Sequence, residues 1–177
     1  MGSTDFRLGE TGNMWSYAGW SVKTIYTSPG TLAHQMYLFD TFRYWDEHQD
    51  ESFTVDGFLA PAGIGDEDEA VKITCFVGEG DSIYTGDNIY LNGHPLNTGG
   101  TASPADNVWN SQSTGSTADG VDLDTFIIDG SEDVIDPRAD SATVRLQTGV
   151  DSWNLVYIML SFRSDIVGSG LLSYIVK

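Results

Sequence analysis

The sequence is short of positive charge, of cysteine and of long apolar runs. Only 8 of its 177 residues are Lys or Arg, against 26 Asp and Glu, which leaves a formal net charge of −18. Such a surface repels phosphate, so DNA, RNA and anionic membrane are excluded as partners gripped through counterion release. The single cysteine, Cys75, excludes an intrachain disulfide and leaves the redox compartment open. No stretch reaches the length of a membrane span. Catalytic signatures are missing too: there is no Gly-x-Ser-x-Gly elbow, no His-Glu-x-x-His, no phosphate loop and no dinucleotide fingerprint. His34, His48 and His94 lack neighbours at metal-ligand spacing and read as surface or turn residues.

What is present is the makings of a core. Hydrophobic residues make up 40% and aromatics 12%, too much for a disordered chain. A chain of this length forms one domain that buries about two-thirds of its unfolded surface. The expected division is an N-terminal segment at 1–14 and a single domain at 15–177. The polar start at Met1-Gly2-Ser3, without a signal peptide's apolar region, and an apolar element running to Lys177 suit a domain cut from something longer.

The apolar runs are short, rich in Val, Ile, Thr, Tyr and Phe, and bounded by Gly, Asp, Asn or Pro, which is strand rather than helix patterning. Strands are expected near 21–27, 35–39, 41–45, 52–58, 71–77, 88–91, 125–128, 142–148, 153–162 and 171–176. The run from Trp153 to Phe162 is apolar on both faces and belongs at the centre of a sheet, whereas Ala142, Val144 and Leu146 alternate with Thr143, Arg145 and Gln147 and leave one wet face. Alternation places Cys75 with Val71, Ile73 and Val77 as a core thiol, and turns Lys23 and Lys72 outward as rim lysines. The Gly/Ser/Thr-rich stretch 98–117 is a long loop pinned by Val108 and Trp109. About ten strands with Gly-rich turns predict an all-β, two-sheet antiparallel β-sandwich, jelly-roll-like in size.

Carboxylates are the chemical resource. In "FVGEGDSIYTGDNIYLNGHPL", residues 76–96, acidic turns alternate with short apolar runs, Gly and Asn free the backbone to curl, and Asn92-Gly93 predicts a hairpin that folds the segment back. Calcium takes about six to eight oxygens from carboxylates, amides and carbonyls. Glu79, Asp81, Asp87 and Asn88, with Asp122 and Asp124 from a neighbouring strand, can supply that set. The spacing lacks the order of an EF-hand loop, and Asx-turns at Asp81, Asp87 and Asn88 account for the same residues without metal. A solvated acidic surface, or adaptation to high salt, accounts for the charge with no specific ion. Aromatics near loops, Trp20 and Trp109 above all, would serve a carbohydrate-binding module, and a pair of carboxylates across a sugar-sized cleft would serve a glycoside hydrolase.

The segments "YAGWSVKTIYTSPGTLAHQMYLFDTF", "VKITCFVGEGDSIYTGDNIYLNG", "NVWNS" and "SATVRLQTGVDSWNLVYIMLSF" together resemble β-rich domains of unknown function in very large bacterial and archaeal cell-surface proteins. The resemblance runs from about Trp15 to Val176, and its matched positions include Glu79, Asp81, Asp87, Asn92 and Gly93. It implies an extracellular, cell-surface location and a structural or adhesive role, with no known activity. The expectation is therefore a non-catalytic module of a surface protein or filament, its acidic loops held by calcium. Its partners would be other surface-protein subunits, further copies of itself, or carbohydrate. The terminal strand, 171–176, is expected to pair within its own sheet, with donation to a neighbour as the alternative.

Overall fold

The computed structural model describes residues 21–26, 32–78, 80–101, 103–113 and 121–163, and the backbone of 174–176. Among these residues nine strands follow in order: β1 (His34–Trp45), β2 (Asp50–Asp56), β3 (Val71–Gly78), β4 (Asn88–Leu91), β5 (His94–Leu96), β6 (Val121–Ile128), β7 (Ser141–Gln147), β8 (Trp153–Arg163) and β9 (Tyr174–Val176). Among the described residues the only helical turns are short 3₁₀ pieces at Ile64–Asp66 and Gly130–Glu132. No helix among them is long and apolar enough to cross a membrane.

One sheet runs β6-β3-β8-β1-β9 and the other β2-β7-β4-β5. Apart from the β4–β5 hairpin, each step from β1 through to β8 changes sheets, and the eight strands alternate as in a jelly roll. All their pairings are antiparallel, but β9 adds to β1 in parallel through Met36–Tyr174, Tyr37–Ile175 and Leu38–Val176. The terminal strand thus pairs within its own chain, as expected.

The sequence patterns explain this order. The doubly apolar β8 lies between β3 and β1, buried on both faces by the sandwich interior and a smaller outer cluster of Leu38, Phe76 and Tyr157. The Lys23 ammonium lies 3.4 Å over the Tyr157 ring on that outer side. Alternating β7 turns Ala142, Val144 and Leu146 inward and leaves Thr143 exposed. Cys75 is fully buried with Ile73 and Val77. Between the sheets Trp45 stacks flat on its cross-strand partner Trp153 with ring centres 5.0 Å apart, and Trp109 meets Trp153 edge-on at 5.8 Å.

Four expectations change. Residues 21–26 are not in a strand. The runs 35–39 and 41–45 are one strand, β1, with a register shift between Asp40 and Arg43 that leaves Phe42 80% exposed. Such a bulge twists an otherwise open strand edge. The hairpin at Asn92-Gly93 was expected, but its return strand β5 was not; both turn residues have positive φ, 48° and 84°. Lastly, β6 starts at Val121 rather than near Thr125. The reason lies in its inward face: Asp122 and Asp124 join Phe126 and Ile128 in the interior, while Leu123 and Ile127 point out, 38% and 52% exposed.

Candidate functional site

The inversion of β6 marks one end of the sandwich, where the stretches 80–87, 103–113 and 148–152 meet. Four aspartates are enclosed there: Asp87, Asp122, Asp124 and Asp151 are each 4% exposed or less. Buried carboxylates are normally paired with a cation. The ion pairs seen among the described residues, at Arg43–Glu51, Lys72–Glu69, His94–Glu132, Arg145–Asp50 and Arg163–Glu67, do not involve Asp87, Asp122 or Asp151.

Close backbone contact builds the first pair of aspartates. Gly86 has φ +111°, and a Cβ there would lie 2.5 Å from Gly149 Cα, so two glycines let these stretches touch. Contact sets Asp87 against Asp151, whose carboxyls come within hydrogen-bonding reach of each other. Asp87 Oδ1 accepts from Trp153 Nε1 at 3.3 Å; the Thr148 hydroxyl and the Gly149 N–H also face the carboxyl, but neither meets hydrogen-bond geometry at Oδ2. The nearby Thr148 hydroxyl is spent on the Asp151 carbonyl at 2.9 Å. Asp151 accepts from Asp81 N at 2.9 Å and from Ser152 N at 2.7 Å. Asn107 bridges to Asp87 as a parallel β-partner and donates to the carbonyls of Asp81 and Ser82 at 3.2 and 3.4 Å. Its own side-chain oxygen, like Asp87 Oδ2, is enclosed without a donor.

The second pair sits on the other side of the same loop. Ser113 caps the free edge of β6, donating to Val121 O and accepting from Leu123 N, both at 2.8 Å. That brings backbone N–H groups of 110–112 over Asp122, whose Oδ1 accepts from Gln112 N at 3.2 Å. Asp122 Oδ2 faces Gly80: a Cβ at Gly80 would lie 2.5 Å from it and closer still to the Trp109 carbonyl.

Burial dominates the electrostatics. It raises the Asp87 carboxyl to about 6, with the Asp151 charge adding to the rise and the neighbouring donors opposing it. It raises Asp122 to about 7, with Asp124 next in effect, and it raises Asp151 as well. At ~1.4 kcal/mol per pH unit, ionising Asp87 and Asp122 inside the fold costs about 3 and about 4 kcal/mol. A whole domain is stable by only about 5–15 kcal/mol. Ionised without a counter-charge, these two carboxyls would together offset a large part of that stability.

The ligand set expected from sequence divides. Asp87 joins the first pair, and Asp122 and Asp124 form the second. Asp81 is exposed and contributes its backbone N–H rather than its carboxylate. Asn88 is half-buried and bonds to Gly86 O at 3.1 Å and Asp106 Oδ1 at 3.3 Å. Glu79 lies outside the described residues, as does Trp20. Among the described residues no three His, Cys, Asp or Glu side chains converge as metal ligands. A cation here must draw on amide and carbonyl oxygens as well. Trp109 is wholly buried, edge-on to Phe126 and Trp153, so it is core and offers no surface platform to a sugar. Asp151 and Asn107 were missed: neither belongs to an acidic cluster of the sequence, and only the meeting of loops distant in sequence gives them a role.

A cavity of about 210 Å³ between β1 and β2, lined by Phe39, Trp45, Phe53 and Leu155 with Asp40 and Arg43, includes none of the buried aspartates.

No family model and no curated protein matches the chain. Among solved structures it is similar over 77% of its length to 21% of a β-porphyranase of glycoside hydrolase family 86 from the human gut bacterium Bacteroides plebeius, at 11% identity and a TM-score of 0.49. It is similar over 73% of its length to 27% of the catalytic unit of a thermostable GH87 α-1,3-glucanase from Streptomyces thermodiastaticus, at 13% identity and a TM-score of 0.25. The chain thus spans about a fifth to a quarter of those two chains, and likeness at this level carries nothing about what it does.

Proposed function

We propose that this chain is a non-catalytic, extracellular structural or adhesive module of a cell-surface protein or filament, which works by associating with other subunits or with copies of itself. The observation that carries the reading is enclosure. The carboxylates that the fold gathers, Asp87, Asp122, Asp124 and Asp151, are sealed between loops, out of reach of a substrate, and the cavity between β1 and β2 contains none of them. Acids in such positions tie loops together instead of turning over a ligand. The outer surface keeps most of the 26 acids, suited to a cation-rich setting where repulsion is screened. Calcium bracing of the loops belongs to the same reading, as does the resemblance to surface-protein domains.

Light scattering across a concentration series, with and without calcium, tests it. Concentration-dependent assembly is expected, with neither glycan binding on an array nor turnover of polysaccharides. Glycan binding lost on Trp20 substitution would replace the reading with a carbohydrate-binding module. Polysaccharide cleavage abolished by one carboxylate change would replace it with an enzyme.

A further inference from the structure

We propose that Asp87, Asp151 and the side-chain oxygen of Asn107 form a buried divalent-cation site for which calcium is the fitting ion. This deepens the calcium part of the function proposed above and does not depend on assembly.

Three observations meet at this point. First, two enclosed acceptor oxygens, Asp87 Oδ2 and Asn107 Oδ1, have no donor, although Asp87 and Asn107 are 0% and 6% exposed. They belong to bridge partners, whose side chains leave the backbone on the same side. Buried acceptors without donors are rare, and a bound water or ion is what satisfies them. Second, the Asp151 carboxyl is drawn against Asp87, with one N–H bond to each of its oxygens and lone pairs to spare. Third, the described basic side chains in ion pairs all serve other acids, so among the described residues no ion pair neutralises Asp87 or Asp151.

The donor chemistry selects the ion. The set is oxygen throughout, with two carboxylates and an amide, and the only cysteine is on β3 in the core. Zinc and copper favour nitrogen and sulfur, and magnesium demands a near-ideal octahedron; calcium accepts irregular oxygen sets and fills the rest with carbonyls and water. The Asp122–Asp124 pair is less suited, because among the described residues no unpartnered amide oxygen joins it as Asn107 joins Asp87. An ion on Asp87, Asp151 and Asn107 would fasten the loops 80–87, 103–113 and 148–152 together at the end of the sandwich.

Trp153 provides the probe, because its indole N–H touches Asp87 Oδ1. Terbium, a calcium mimic, bound there would be excited through Trp153. In the full chain, saturable terbium luminescence on tryptophan excitation is expected, displaced by calcium. It should be lost in Asp87→Asn and in Asp151→Asn and kept in Asp122→Asn. Both Asn variants are near-isosteric and remove a buried charge, so near-ultraviolet circular dichroism should confirm that they fold. Calcium at a hundred times its dissociation constant should raise the melting midpoint over that in chelator by roughly 5–10 °C in the native sequence and not in Asp87→Asn. A midpoint that millimolar calcium leaves unmoved, or luminescence that survives Asp87→Asn, overturns the site. Binding lost in Asp122→Asn but kept in Asp87→Asn also overturns it, by placing the ion on the other pair. Such results leave the module reading intact, since that fails only on the absence of assembly or the presence of glycan chemistry.

Discussion

Asp122→Asn should make this protein more stable at alkaline pH and leave it nearly unchanged in acid. Asp122 is fully enclosed on the inner face of β6, and burial, followed by the charge of Asp124, raises its carboxyl to about 7. In the unfolded chain the same carboxyl titrates near 3.8. The folded state therefore holds the proton more tightly, and linkage sets the sign: the stabilisation is fully present below about pH 4 and is lost as pH rises to about 7. The loss from Asp122 is about 4 kcal/mol, and Asp87, raised to about 6, adds about 3. Asp50 and Glu69 act oppositely, since pairing with Arg145 and Lys72 lowers them, but both are solvent-exposed and their stabilisation disappears only below about pH 4. An asparagine keeps the acceptor for Gln112 N and places an amide nitrogen where Oδ2 stood. Urea unfolding at pH 5, 6, 7 and 8 in chelator is the assay. The native chain should lose about 4 kcal/mol across that range, and Asp122→Asn about a third as much, with the two curves converging toward pH 4. A native stability that is flat or rises from pH 5 to 8, or a variant with the full decline, would refute the claim that a buried, cation-free carboxylate sits at this position.

Further outcomes follow from the same packing. Gly80→Ala should destabilise by at least ~2 kcal/mol, because its Cβ would meet the Trp109 carbonyl and Asp122 Oδ2 at 2.5 Å or less, and backbone cannot give way as a side chain can; a urea midpoint like that of the native chain would show that the loop is loose. Cys75 is fully buried and its thiol is pushed up by burial and by Asp124, so alkylation at pH 8 should proceed only as fast as the chain unfolds; rapid labelling of native protein, read by mass spectrometry, would contradict the packing of β3. Trp109→Ala should cost about 3–5 kcal/mol by calorimetry, since the ring is sealed against Trp153 and Phe126. Arg145→Ala, by contrast, breaks an exposed pair with Asp50 and should change stability by less than ~1 kcal/mol.

How far the fold was legible depended on what each strand shows to its own neighbours. β7, β8 and β3 could be placed because apolar residues on one face, or on both, report burial directly, and the Asn92-Gly93 turn because its backbone chemistry is local. β5 escaped notice because it is only His94-Pro95-Leu96, and its role as an edge depends on β4 beside it. The first half of β6 was hidden by its own carboxylates. Val121 to Ile128 keeps a strict two-residue alternation, but the inward positions read Asp, Asp, Phe, Ile. Polar residues at inward positions look like a loop until the partner loops are known.

The sequence by itself determined the class of this protein: strand periodicity, turn residues and a large acidic excess are local or additive properties, and they specify an all-β, acidic domain. Only the tertiary structure decided which acids matter. Asp151 and Asn107 join Asp87 because Gly86 and Gly149 let two distant loops touch, and Asp122 turns inward because Ser113 draws the 110–112 backbone across the edge of β6. Charge is a property of composition, but the free energy of a charge depends on what surrounds it, and those surroundings come from residues far apart in the chain.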